Sequence, residues 1–164
     1  MPGADFPKAL QALCDARVDF VLVGGLAAVL DGAPIHTFDV DIVHSRDEEN
    51  LARLLSVLDK IDAIYRIQPS RRLKPNASHL RSPGHSNLIT NCGYLDVLGT
   101  IGRGLQYEDL LPHTVEMEIG EGMRIRVLDL PTIIALKEEI KGEKDLAVLP
   151  ILRRTLEEKQ RLQR

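Results

Sequence analysis

Aromatic side chains are scarce in this chain: three Phe, three Tyr and no Trp among 164 residues. That excludes a series of exposed rings on which bases could stack, and with it a single-strand nucleic-acid module of that type. The core must be built mainly from Leu, Ile and Val. Cysteine is nearly absent as well. Cys14 and Cys92 fit neither a zinc spacing nor a disulfide framework, which predicts a reducing, cytoplasmic setting. No apolar run approaches the length of a membrane span, and no basic stretch followed by an apolar run marks a secretory leader. An excess of positive charge is lacking too. The formal net charge is −3, so the molecule as a whole is not an electrostatic binder of nucleic acid. Repeats and low-complexity tracts are missing. What remains is an ordinary globular composition, 44% apolar and 27% charged, in a chain long enough for one domain with a hydrophobic core.

Periodicity divides the chain into short elements. Phe6, Leu10, Leu13 and Cys14 recur at helical spacing over about residues 5–17. Residues 19–23 read as a strand running into a Gly24-Gly25 turn, and 26–30 as a short helix stopped by Asp31-Gly32 and Pro34. Residues 38–43 alternate, with Phe38, Val40 and Ile42 on one face and Asp39, Asp41 and Val43 on the other. Ser45 and Glu48 resemble a capping box ahead of a helix whose face is Leu51, Leu54, Leu55 and Leu58.

From Ala63 to Leu95 there is no acidic residue, but there are Arg66, Arg71, Arg72, Lys74 and Arg81. The middle of this stretch is rich in Pro, Ser and Asn and predicts an irregular loop. Two hairpin-like pairs follow, residues 87–90 with 94–101 and 115–119 with 123–127. Asp129 and Pro131 open a helix that runs to about Lys141 and breaks at Gly142. A last helix carries a kink or break at Pro150. The order predicts an α+β fold, with helices packed on one mixed, mainly antiparallel sheet. The core covers about residues 18–128, and a helical tail covers 129–164 of one domain.

The chemistry gathers around Asp39 and Asp41. Residues two apart on a strand share a face at roughly 6 to 7 Å. Two carboxylates so placed repel each other unless a counter-charge is present. A divalent cation such as Mg²⁺ is a natural partner, and two such ions can clamp an in-line phosphoryl displacement. Alone, the pair fits a solvated strand face equally well. The strand ending in Gly24-Gly25 adds a second feature, because glycines let a phosphate approach the backbone and a following helix presents free N–H groups. Taken singly, that too is read as a plain tight turn.

Together these residues resemble the DNA polymerase β-like nucleotidyltransferase superfamily. Gly24-Gly25, a spacer of thirteen residues and Asp39-Val40-Asp41-Ile42 look like its signature. Thr37 stands where many members carry Thr, and Asp96 in Tyr94-Leu95-Asp96-Val97-Leu98 matches the third carboxylate on a neighbouring strand. The tail from Leu130 to Leu149 looks like that of small antitoxin-type members, including the AbiEii-like group. Where many active members carry Ser, this chain has Gly25, which leaves only a backbone N–H for the triphosphate.

The resemblance implies that Asp39, Asp41 and Asp96 bind Mg²⁺ or Mn²⁺ and are catalytic. Gly24, Gly25 and Thr37 would hold the nucleotide. Arg71 and Arg72, in the acid-free stretch, and Lys137 are further candidates for its phosphates. Arg71 and Arg72 also fit a solvated loop, and Lys137 an ordinary surface position. The five histidines show no ligand spacing and are read as non-metal residues. Two functions follow. One is transfer of a nucleoside monophosphate from an NTP to a hydroxyl on a small molecule, RNA or protein. The other is a non-catalytic antitoxin or nucleotide-binding sensor on the same fold. A toxin, another protein or a second copy of the chain would be the partner.

Overall fold

The computed structural model describes residues 4–163. Its elements are α1 (Phe6–Asp15), β1 (Phe20–Val23), α2 (Gly24–Leu30), β2 (Asp39–His44), α3 (Glu48–Lys60), β3 (Ile64–Tyr65), α4 (Ala77–Arg81), β4 (His85–Thr90), β5 (Gly93–Leu98), α5 (Tyr107–Leu110), β6 (Thr114–Ile119), β7 (Met123–Leu128), α6 (Leu130–Ile140) and α7 (Glu143–Leu162). The strands form one seven-stranded sheet in the order β3-β4-β5-β2-β1-β7-β6. Neighbours pair antiparallel except β1 with β7 and β2 with β5, which are parallel. The mixed α+β architecture is therefore the expected one. None of the described helices is long and apolar enough to cross a membrane.

The core is aliphatic, as the shortage of rings requires. β1 contributes Val21 and Leu22, β2 Val40 and Ile42, and β5 Leu95 and Val97, all fully buried. Leu10 and Leu13 from α1 and Leu51, Leu54 and Leu58 from α3 are buried with them, the stripes expected of amphipathic helices. Buried polar groups are bonded. Asn50 accepts from the Asp19 N–H and donates to the Asp19 and Ser45 carbonyls, tying α3 to the start of β1.

Several local expectations are corrected. The stretch predicted as a loop holds β3, a 3-10 turn at Pro69–Arg71, α4 and the start of β4 at His85. α4 forms because Asn76 caps it and Leu80 is buried beneath it, features too short for periodicity to register. Ser45 and Glu48 make no capping box: Asp47 is the N-cap, without a side-chain bond, and Ser45 instead accepts from the Asp47 N–H. β2 begins at Asp39, leaving Phe38 outside the strand and 74% exposed. α7 runs without a break through Pro150, because Leu149 and Leu152 are buried on either side and hold both halves against the core. At Asp129 the expectation holds, for its side chain accepts from the Thr132 N–H at 2.9 Å.

Candidate active site

The parallel pairing of β2 with β5 decides the site. Its register sets Asp41 directly opposite Asp96 and Asp39 opposite Tyr94, so both strands present their acidic residues on the same sheet face. Carboxylate oxygens from Asp39, Asp41 and Asp96 lie within 4.8 Å of one another. Three residues that are 57 positions apart at their extremes, 96 minus 39, thus form one cluster.

Such crowding perturbs the acids. The Asp41 carboxyl is pushed up to about 8, first by burial, then by hydrogen bonding to Asp96 and by the charges of Asp96 and Asp39. Burial also raises Asp96, against the lowering effect of its hydrogen bond with Asp41 and of the Arg66 cation. A protein that gathers carboxylates at the cost of their ionisation presents a hard, all-oxygen donor set, which suits Mg²⁺ or a similar divalent cation.

A cation is already present. Arg66 follows β3, and its side chain reaches across β4 into the cluster. Its Nη2 donates to Asp96 Oδ1 at 2.7 Å, and its Nη1 stands 3.8 Å from Asp39 Oδ2. The guanidinium is steadied by a bond from Nε to the Leu88 carbonyl at 3.1 Å and by the Tyr94 ring, whose centroid is 4.3 Å from Cζ. The sequence offered no reason to prefer Arg66 over the other four cations of the acid-free stretch.

Those four are engaged elsewhere. Arg72 pairs with Asp62, Lys74 with Asp59 and Arg81 with Glu48, all near the surface, while Arg71 donates to Gln68. The acid-free stretch is therefore not a positive surface, because carboxylates outside it neutralise most of its cations. Arg71 and Arg72 lie apart from the carboxylate cluster's cavity wall, which is described below.

The glycines close the other side. Gly24 has φ +71, and a Cβ there would run into the Asp41 carboxylate, with Cγ only 3.0 Å away. A Cβ on Gly25 would stand 2.9 Å from Thr37 Oγ1, and Thr37 in turn donates to the Asp39 carbonyl. Gly24 thus lies against the Asp41 carboxylate, and Gly25 lies beside Thr37 just ahead of β2. Gly24 and Gly25 form the first turn of α2 rather than a turn ahead of it. α2 is only seven residues long, so what the glycines contribute is chiefly room.

A cavity of about 280 Å³ opens beside Asp41 and Asp96, between the sheet face and α6. Lys137 lies in its wall, bonded to Asp145 of α7 at 3.0 Å. His85 is there too, with Nε2 donating to the Thr100 carbonyl. Among the described residues no histidine joins the acidic cluster.

Two solved structures share this arrangement of elements. Lincosamide antibiotic adenylyltransferase LnuA, in its lincomycin-bound crystal structure, aligns at a TM-score of 0.59 with 14% identity, over 92% of this chain and 98% of that one. TM1012 from Thermotoga maritima, a candidate nucleotidyltransferase, aligns at 0.54 with 19% identity, over 93% and 90%. The fold is that of the nucleotidyltransferases. No family model and no curated protein matches the chain in sequence. Across this nucleotidyltransferase fold, identities below one in five leave the geometry of the carboxylates, rather than the kinship, to carry the functional reading.

Proposed function

We propose that this chain is a nucleotidyltransferase that moves a nucleoside monophosphate from an NTP to a hydroxyl acceptor, using Mg²⁺ or Mn²⁺. The observation that carries this reading is the convergence of Asp39, Asp41 and Asp96 on one sheet face beside Gly24. Asp39, Asp41 and Asp96 would hold the metal, which supplies charge neutralisation to the phosphates and to the attacking oxygen when bound.

The rest falls to the chain itself. Gly24 and Gly25 leave space for the β- and γ-phosphates against the backbone, and the Thr37 hydroxyl stands next to them. Arg66, already in the cluster, provides a guanidinium with donors suited to a phosphate oxygen. The acceptor hydroxyl oxygen attacks the α-phosphorus. A bond forms there while the bond to the bridging oxygen breaks, and pyrophosphate leaves in line. Asp96 takes the hydroxyl proton. Positioning and electrostatics supply most of the rate. Lys137, paired with Asp145, orders the wall around the acceptor side in this reading. The helical tail fits the antitoxin-type members of the superfamily, acting in the cytoplasm with a partner protein.

The test is calorimetry with each of the four NTPs, with and without Mg²⁺, followed by transfer of labelled α-phosphate in a cell extract. Binding that requires metal, with label appearing on an acceptor, is the expected result. Metal-dependent binding without any transfer would favour the non-catalytic sensor or antitoxin. No metal-dependent binding of any NTP would overturn the proposal.

A further inference from the structure

A second cavity, of about 240 Å³, lies at the opposite end of β1 from Gly24. Gly24 follows the last residue of that strand, whereas Asp19 and Phe20 at its start line this cavity, so roughly 13 Å of strand separates the two. No residue of its wall belongs to the carboxylate cluster or to the cavity beside it.

Three arginines face this space. Arg124 and Arg126 alternate on β7 and project from one sheet face, about 6 to 7 Å apart at Cα. Arg17 comes from the turn that closes α1. The acids opposite on β6 do not neutralise the β7 pair. Glu118, across from Arg124, accepts from the Gly122 N–H at 3.1 Å, and Glu116 lies across from Arg126 without an ion pair. Among the described residues none of the three guanidiniums has a carboxylate partner, whereas Arg66, Arg72 and Arg81 all do. Arg17 also stands at φ +58, left-handed backbone that glycine occupies without strain. An arginine there carries a backbone cost, and its side chain reaches this cavity.

The remaining wall is neutral or offset. Asp19 has Arg53 Nη2 3.8 Å away. Arg17, Arg124, Arg126 and Arg53 set against Asp19 and Glu116 leave a surplus of two positive charges, in a chain whose net charge is −3. Burial raises the Tyr107 phenol and the Cys14 thiol above their ordinary values, so both stay protonated at neutral pH and offer donors. A phosphate monoester matches this set. It carries nearly two negative charges and three terminal oxygens, and guanidinium forks bind it in pairs of bonds. A carboxylate brings one charge and two oxygens, too few for three guanidiniums arriving from two directions. The volume admits a small molecule.

We propose that this cavity is a second ligand site, which binds a small phosphate monoester through Arg17, Arg124 and Arg126, with Tyr107 beside it. The site stands apart from the transferase reading and needs no metal.

The test titrates phenyl phosphate and benzoate, in chelator, into protein carrying nitrogen-15 arginine. Nuclear magnetic resonance follows the Nε–H signals. Phenyl phosphate should move Arg17, Arg124 and Arg126 to saturation and leave Arg161 of α7 in place. Benzoate should bind about tenfold more weakly or worse. Arg124→Gln and Arg126→Gln, at exposed positions, should each weaken phenyl phosphate about tenfold, and Asp41→Asn should not change it. Arg17→Gly separates binding from folding: it relieves the backbone and should raise the melting temperature while lowering phosphate affinity.

The proposal fails if benzoate binds as well as phenyl phosphate, or if Arg161 shifts as much as the three wall arginines, since either outcome is general ion screening. It fails if Arg17→Gly and the two glutamine variants keep full affinity. A short single-stranded RNA that displaces phenyl phosphate and binds these arginines more tightly would make them part of a nucleic-acid face, and would overturn the small-ligand site.

Discussion

Arg66 Nη2 donates to Asp96 Oδ1 at 2.7 Å, from a residue two strands away from Asp96 in the sheet. The pair ties the edge of the sheet to its acidic centre and places a positive charge where three carboxylates meet. In the metal-free protein this guanidinium relieves part of their repulsion, as a divalent cation would when bound.

Replacing Arg66 with Met keeps a flexible side chain and removes the charge. Metal-free R66M should melt lower than the parent, by about 2–4 °C for each kcal/mol of lost pairing in a chain of this size. Because Mg²⁺ then meets no competing cation, its stabilising shift should be larger in R66M than in the parent. ATP binding should weaken as a phosphate donor is lost. Thermal unfolding with and without Mg²⁺ checks this. An unchanged Mg²⁺ shift would mean that Arg66 only braces the sheet edge.

Asp41 gives a pH dependence with a definite sign. Its carboxyl is raised from 3.8 to about 8 in the fold, so between those values the native state binds more protons than the unfolded chain. That contribution is present in full below about pH 4 and is lost as pH climbs towards 8. Asp41→Asn cannot ionise and escapes the loss. The variant's melting temperature relative to the parent should therefore rise steadily from pH 5 to pH 8 in chelator, and its Mg²⁺ response should be small throughout. A constant offset across that range would show that the carboxylates do not crowd in solution.

Gly24 and Gly104 separate two effects of an added methyl group. Both have positive φ, +71 and +90, but a Cβ on Gly24 meets the Asp41 carboxylate while one on Gly104 meets nothing within 4 Å. Gly104→Ala should lose about 1 kcal/mol through backbone strain alone and keep its full Mg²⁺ shift. Gly24→Ala should lose more stability and most of the Mg²⁺ shift, because Asp41 must move. Equal behaviour of the two variants, measured by thermal unfolding, would remove Gly24 from the site.

Local pattern alone carried a good part of this protein. Alternation in β2, the hairpin-like pairing of β4 with β5, the leucine face of α3 and the capping of α6 by Asp129 are set by neighbours in sequence, so they were legible there. The conjunction of Gly24-Gly25 with Asp39 and Asp41 was read from the resemblance to a family signature, since each feature alone also fits a plain turn or a solvated strand. Short elements such as β3 and α4 escaped because two to five residues contain too little periodicity, and their stability comes from what they are packed against.

Register and long-range charge pairing belong to the tertiary structure. That Asp41 faces Asp96 follows from the pairing of β2 with β5, which a shift of one residue would turn to the opposite face. Of five cations in the acid-free stretch, the fold sends Arg66 to the cluster and pairs Arg72, Lys74 and Arg81 with outlying carboxylates. Ionic attraction depends on distance in space, and separation along the chain does not set that distance. The sequence therefore determined which groups were available for chemistry, and the packing of the sheet and α6 decided which of them meet.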